Sequence, residues 1–103
     1  MAAGRLGTAA DLAATTNTTL YTNATTYAVA SVTLCNRNTT AVTIRLALSS
    51  TTTPGNAEYI EYGTVIPANG VLERTGLVVG STQNLVAYAS ATGVSAVVYG
   101  IET

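Results

Sequence analysis

The most regular stretch of the chain is residues 41–49. Val42, Ile44, Leu46 and Leu48 alternate there with Thr43, Arg45, Ala47 and Ser49. Alternation of period two is expected of a strand with one buried face and one exposed face. Residues 27–35 repeat the pattern: Ala28, Ala30, Val32 and Leu34 share one face, and Tyr27, Val29, Ser31, Thr33 and Cys35 share the other. Residues 18–22, 57–62, 71–79, 85–91 and 94–102 are further predicted strands, rich in the Thr, Val, Ile and Tyr that favour pleated structure. Strict alternation within residues 57–62 puts Ile60 and Tyr62 on one face and Tyr59 and Glu61 on the other. Gly76 interrupts the strand at 71–79.

Turn chemistry separates these runs. Asn36-Arg37-Asn38-Thr39, Pro54-Gly55, Pro67-Ala68-Asn69-Gly70 and Gly80-Ser81-Thr82-Gln83-Asn84 are all punctuated by residues that favour turns. Ala91-Thr92-Gly93 reads as the turn of a closing hairpin between the last two strands. The pattern predicts an all-β fold, a small antiparallel β-sandwich of jelly-roll or Ig-like type with seven to eight strands. A parallel solenoid would need a fixed internal repeat, and none is visible. Residues 1–16 are Ala-, Gly- and Thr-rich without clear period. They are expected to form an N-terminal arm, ordered on assembly, ahead of a sandwich domain at 17–103. Asp11-Leu12-Ala13-Ala14 within it suits either a short helical turn or an extended chain.

Composition narrows the function. Of 103 residues, 48% are hydrophobic and 9% charged, with a formal net charge of −1. A surface so poor in charge is expected to be covered by neighbours. Four arginines and no lysine cannot form a stripe that tracks phosphates, so no nucleic-acid partner is expected. No apolar run approaches the roughly 18 residues of a membrane span, and the N-terminus has no apolar segment of the kind that directs secretion. With one cysteine there is no self-contained disulfide framework, and Cys35 is expected to pack as a small hydrophobe.

The chain has no histidine, and its acids are Asp11, Glu58, Glu61, Glu73 and Glu102. General base chemistry near neutrality would need a strongly shifted carboxylate or the single thiol. Glu58 and Glu61, an odd spacing apart, would face opposite sides of a strand. No catalytic residue, metal site or cofactor is expected. Asn17, Asn23 and Asn38 each begin an N-x-T triplet, read as a consequence of a composition that is about one-fifth threonine. That threonine supplies strand propensity; a flat ice-binding array would need it at alternate positions of one face. The six tyrosines are the only aromatic residues. Tyr59 and Tyr62 are candidates for a subunit contact or a sugar-stacking surface, whereas Tyr88 and Tyr99 are expected to pack. Arg5, Arg37, Arg45 and Arg74 are candidates for carboxylate contacts to a neighbour, with Arg45 expected to be solvated or paired.

Three internal stretches and the C-terminus carry a resemblance. They are Gly4-Arg5-Leu6-Gly7, Leu34-Cys35-Asn36-Arg37, and Tyr59-Ile60-Glu61-Tyr62 followed by residues 67–77, with Val98-Tyr99-Gly100-Ile101-Glu102 at the end. Together they resemble small virion structural proteins of tailed bacteriophages, especially those of marine bacteria and cyanobacteria. The resemblance implies a β-sandwich that decorates a capsid or builds a tail, neck, baseplate or fibre. It implies the major capsid protein or other virion proteins as partners, and a virion location after synthesis in the host cytoplasm. A homo-oligomer, such as a trimer at capsid three-folds, is expected by analogy. On this reading the candidate interface residues are Arg5, Leu6, Leu12, Arg37, Tyr59, Tyr62 and Arg74, with the arm as clamp. A carbohydrate-binding module is the alternative of a different class.

Overall fold

Alternation over residues 27–35 and 41–49 does produce strands, with Ala47 and Ser49 buried against the expectation of an exposed face, and six more strands join them. The computed structural model describes residues 3–103, the side chains of Thr8 and Ala9 excepted. The strands are β1 (Ala3–Asp11), β2 (Thr18–Thr22), β3 (Tyr27–Asn36), β4 (Val42–Ser49), β5 (Tyr59–Ile66), β6 (Val71–Gly80), β7 (Asn84–Ala89) and β8 (Val94–Glu102). A single 3-10 turn, Asn56–Glu58, precedes β5.

Two four-stranded antiparallel sheets form, ordered β1-β8-β3-β6 and β2-β7-β4-β5. The pairs β1·β8, β2·β7, β3·β6 and β4·β5 alternate between the sheets. The chain is therefore a long hairpin, folded at the β4–β5 connection and rolled up. This is the strand order of a jelly roll, which separates it from the Ig-like alternative. Consecutive strands other than β4 and β5 lie in different sheets. The expected hairpin at residues 85–102 is thus corrected: β7 and β8 belong to opposite layers, and residues 91–93 carry the chain between them.

The inward faces are almost wholly aliphatic. Leu6, Val32, Leu34, Leu77, Val79, Ala96 and Val98 from one sheet meet Leu20, Ile44, Leu46, Leu85, Ala87 and Ala89 from the other. Each buried Val, Leu or Ile contributes roughly 1.5–3 kcal/mol, and each Ala less. The arm expected over residues 1–16 is corrected over its described part. Residues 3–11 pair with β8, placing Leu6 opposite Val98, and Leu12 donates its backbone N–H to Val94 O at 2.9 Å. Met1 and Ala2 lie outside the described residues. Leu6 and Leu12 are 2% and 1% exposed, so they are core residues and not contact residues. The sequence conceals this because Gly4 and Gly7 and the register shift between Leu6 and Ala10 break the alternation that marks the other strands.

Two buried asparagines tie the connections together. The Asn23 amide donates to Val79 O at 2.8 Å, and its Oδ1 accepts from the Thr25 N–H at 2.9 Å. The Asn36 amide donates to Thr40 O, Ile66 O and Pro67 O, while its Oδ1 accepts from the Asn38 N–H. Each satisfies carbonyls that the strand ladders leave unpaired at a sheet end. Tyr21, the one aromatic residue of the core, donates to Glu102 at 2.5 Å. Burial and the adjacent Glu102 carboxylate push its phenol well above its ordinary pKa.

Candidate functional site

The outward face of the β2-β7-β4-β5 sheet carries the most distinctive side-chain arrangement among the described residues. Arg45 on β4 is in register with Tyr62 on β5 and with Tyr88 on β7. Its guanidinium carbon lies 4.5 Å from the Tyr62 ring centroid and 4.3 Å from that of Tyr88. A cation held over two ring faces is favourable by roughly 0.5–2 kcal/mol per contact, more where water is excluded. Tyr59 extends the group: its ring meets that of Tyr62 edge-on, with centroids 5.0 Å apart.

Tyr59 and Tyr62 are brought together against the expectation of opposite faces. The register of β5 on β4 shifts twice, so that Ile60 and Gly63 are extra residues without a β4 partner. The insertion at Ile60 changes the parity of the strand, and two tyrosines three apart then share a face. At Gly63 the bulge requires φ of +70°, a conformation that costs glycine little and other residues more. The same parity change turns Glu61 away from the tyrosines. It accepts from Arg74 at 2.7 Å and from Thr64 at 2.7 Å. Arg74 lies on β6 and Glu61 on β5, the outer strands of the two sheets, so this ion pair joins the sheets along one open side.

The aromatic face encloses two adjoining clefts. One, of about 180 Å³, is lined by Thr43, Ile44, Arg45, Tyr62, Gly63, Tyr88 and Ser90. The other, of about 330 Å³, lies between Asn56, Tyr59 and Tyr62. Tyr62 is 62% exposed and forms a wall of both. Glu58, at the end of the 3-10 turn, stabilises the loop beside this face. It accepts from the backbone N–H of Gly55 at 2.8 Å and of Ser50 at 3.0 Å, and from the Ser49 hydroxyl. These donors hold its carboxyl below the ordinary carboxylate range.

The remaining candidates are dispersed. Arg37 pairs with Asp11, both largely exposed, which ties the end of β1 to the β3–β4 loop. Arg5 lies on β1 opposite Tyr99, whose hydroxyl donates to Glu73 at 2.7 Å. Around them the outward face of the other sheet carries an apolar row that composition alone does not show. Ala3, Ile101, Val29 and Val78 stand in register across β1, β8, β3 and β6, and all four are exposed. At about 4.8 Å per strand the row is about 14 Å wide. Tyr27 is also exposed on that face of β3.

The sequence marks Arg45 as a candidate for a carboxylate contact and Tyr88 as a packing residue, without joining the two. The only signal for them is their outward position on predicted strands, and strand order, absent from a linear pattern, makes them neighbours. Among the described residues no group of three or more His, Cys, Asp or Glu is placed to hold a metal ion. No protein-family model matches the chain, and neither curated proteins nor solved structures provide a match.

Proposed function

We propose that the chain is a non-enzymatic structural component of a tailed-phage particle, a capsid decoration protein that bridges shell subunits. The observation that carries this reading is the exposed row Ala3–Ile101–Val29–Val78 on a protein with so few charges. A contiguous apolar strip flanked by polar residues marks a surface that is covered in use. Covering it contributes roughly 25 cal/mol per Å² of apolar area, before the cost of association. Many copies on one shell would multiply a modest contact into a stable lattice. The jelly roll supports the reading only by analogy, since the fold hosts capsid proteins and lectins alike. The resemblance along residues 4–7, 34–37, 59–62, 67–77 and 98–102 points the same way.

The test is a copy count. Isotope-dilution mass spectrometry of purified particles should find the chain in numbers of about one hundred or more, as shell symmetry demands. A count of about 3 to 12 would assign it instead to a tail, neck, baseplate or fibre ring. Absence from particles would end the virion reading. Val29→Arg, on the outward face, should melt like the wild type and lose particle occupancy at least about tenfold.

A further inference from the structure

We propose that the cleft formed by Tyr62, Arg45 and Tyr88 is a binding site for an acidic saccharide, in which Arg45 meets a sugar carboxylate and Tyr62 a face of the sugar ring. The assignment is independent of any place in a particle.

Among the described residues Arg45 is a cation without a counter-ion. Arg37 and Arg74 are each met by a carboxylate, Asp11 and Glu61. Arg45 receives none among the described residues, and no hydrogen bond is made to its guanidinium. It is half-buried between two tyrosine rings, with its guanidinium carbon over both. None of its guanidinium N–H donors is taken by an acceptor among the described residues. A guanidinium fixed in this way is prepared for two-pronged contact with a carboxylate. Its single positive charge balances one carboxylate and leaves a phosphate dianion half compensated.

The surroundings specify what bears the carboxylate. Tyr62 is exposed, and the edge-on contact from Tyr59 restrains its ring. A pyranose has a face of C–H bonds that suits an aromatic ring and a rim of hydroxyls that needs polar partners. Such partners border the clefts: Thr43 and Ser90 on one side and Asn56 on the other. The Ser90 Oγ accepts from the Thr43 N–H at 3.1 Å and from the Thr43 hydroxyl at 3.4 Å, which leaves its own O–H to donate. Both clefts are shallow and share Tyr62, a shape for successive residues of a chain lying across the strands.

The experiment is a ¹H–¹⁵N NMR titration of the full chain. The probes are trigalacturonate and 3′-sialyllactose, their neutral counterparts galactotriose and lactose, and acetyl-triglycine as a carboxylate without a sugar. At least one acidic sugar should give saturable shifts at Arg45, Tyr62 and Tyr88, weakened by added salt. Affinity should fall at least about tenfold in Arg45→Gln. Tyr62→Ser, a change at an exposed position that leaves the core untouched, should weaken binding by a similar factor. Three results overturn the proposal: no saturation by either acidic sugar up to about 20 mM, equal or tighter binding of the neutral sugars or acetyl-triglycine, or binding unchanged in both variants.

Discussion

Leu6→Ala separates a strand from an arm, and the structure sets the size of the effect. Leu6 pairs in register with Val98, is 2% exposed and belongs to the core between the sheets. Truncation removes about three carbon groups from that core, a transfer loss of about 2.4 kcal/mol. A residual cavity adds to this, and buried Leu→Ala changes span roughly 2–5 kcal/mol. β1 lies at the edge of its sheet and can relax on its free side, so about 3 kcal/mol is expected. A domain of this size has roughly 5–15 kcal/mol in all. With a urea m-value of about 2 kcal/mol/M, the midpoint should fall by about 1.5 M. Arg5→Ala, one residue earlier on the exposed face, should stay within about 0.5 kcal/mol of wild type. Equal, negligible effects of the two changes would refute the placement of residues 3–11 in the sheet, because an undocked arm has no buried leucine to lose.

Deleting residues 1–13 removes both Leu6 and Leu12 and opens the edge of β8, so cooperative unfolding should be lost from the far-ultraviolet signal. Asn36→Ala removes this partner from the Thr40 and Ile66 carbonyls and the Asn38 N–H, and should cost at least about 2 kcal/mol, visible as a thermal midpoint about 10 °C lower. Tyr21 contributes stability that is fully present below its unfolded pKa of 10.0 and declines as pH rises above it, because the unfolded phenol loses its proton first. Urea midpoints measured from about pH 9 to pH 11 should therefore fall more steeply for wild type than for Tyr21→Phe. Glu58 works in the opposite sense: its depressed carboxyl contributes above the ordinary value of 4.5 and ceases to as pH falls below it. Protection factors of the Ser50 and Gly55 amides, taken relative to intrinsic exchange at each pH, should fall in acid, and Glu58→Gln should remove that pH dependence.

Much of the fold was legible because period-two patterning is a local property. The strands at 18–22 and 94–102 fall where alternation and turn residues put them, and the inward set Ala28, Ala30, Val32, Leu34 is buried as the pattern requires. The turn at 67–70 closes by a Gly70 N–H to Pro67 O bond with Asn69 at positive φ, as Asn-Gly predicts. Other features depend on partners that a linear reading lacks. β1 has glycines and a register shift in place of a rhythm, and it is a strand because β8 offers it an edge and the core accepts Leu6 and Leu12. The parity of β5 changes where β4 leaves Ile60 unpaired, which unites Tyr59 with Tyr62 and sends Glu61 to Arg74.

By itself, then, the sequence determined the all-β class, most strand positions, the aliphatic inward faces and the scarcity of charge. These follow from side-chain polarity and local backbone preference. Tertiary structure decided the rolled strand order, the docking of the N-terminus and the stack of Arg45 between Tyr62 and Tyr88. These depend on which strands become neighbours and where their pairing slips, and hydrogen bonding between distant segments sets both.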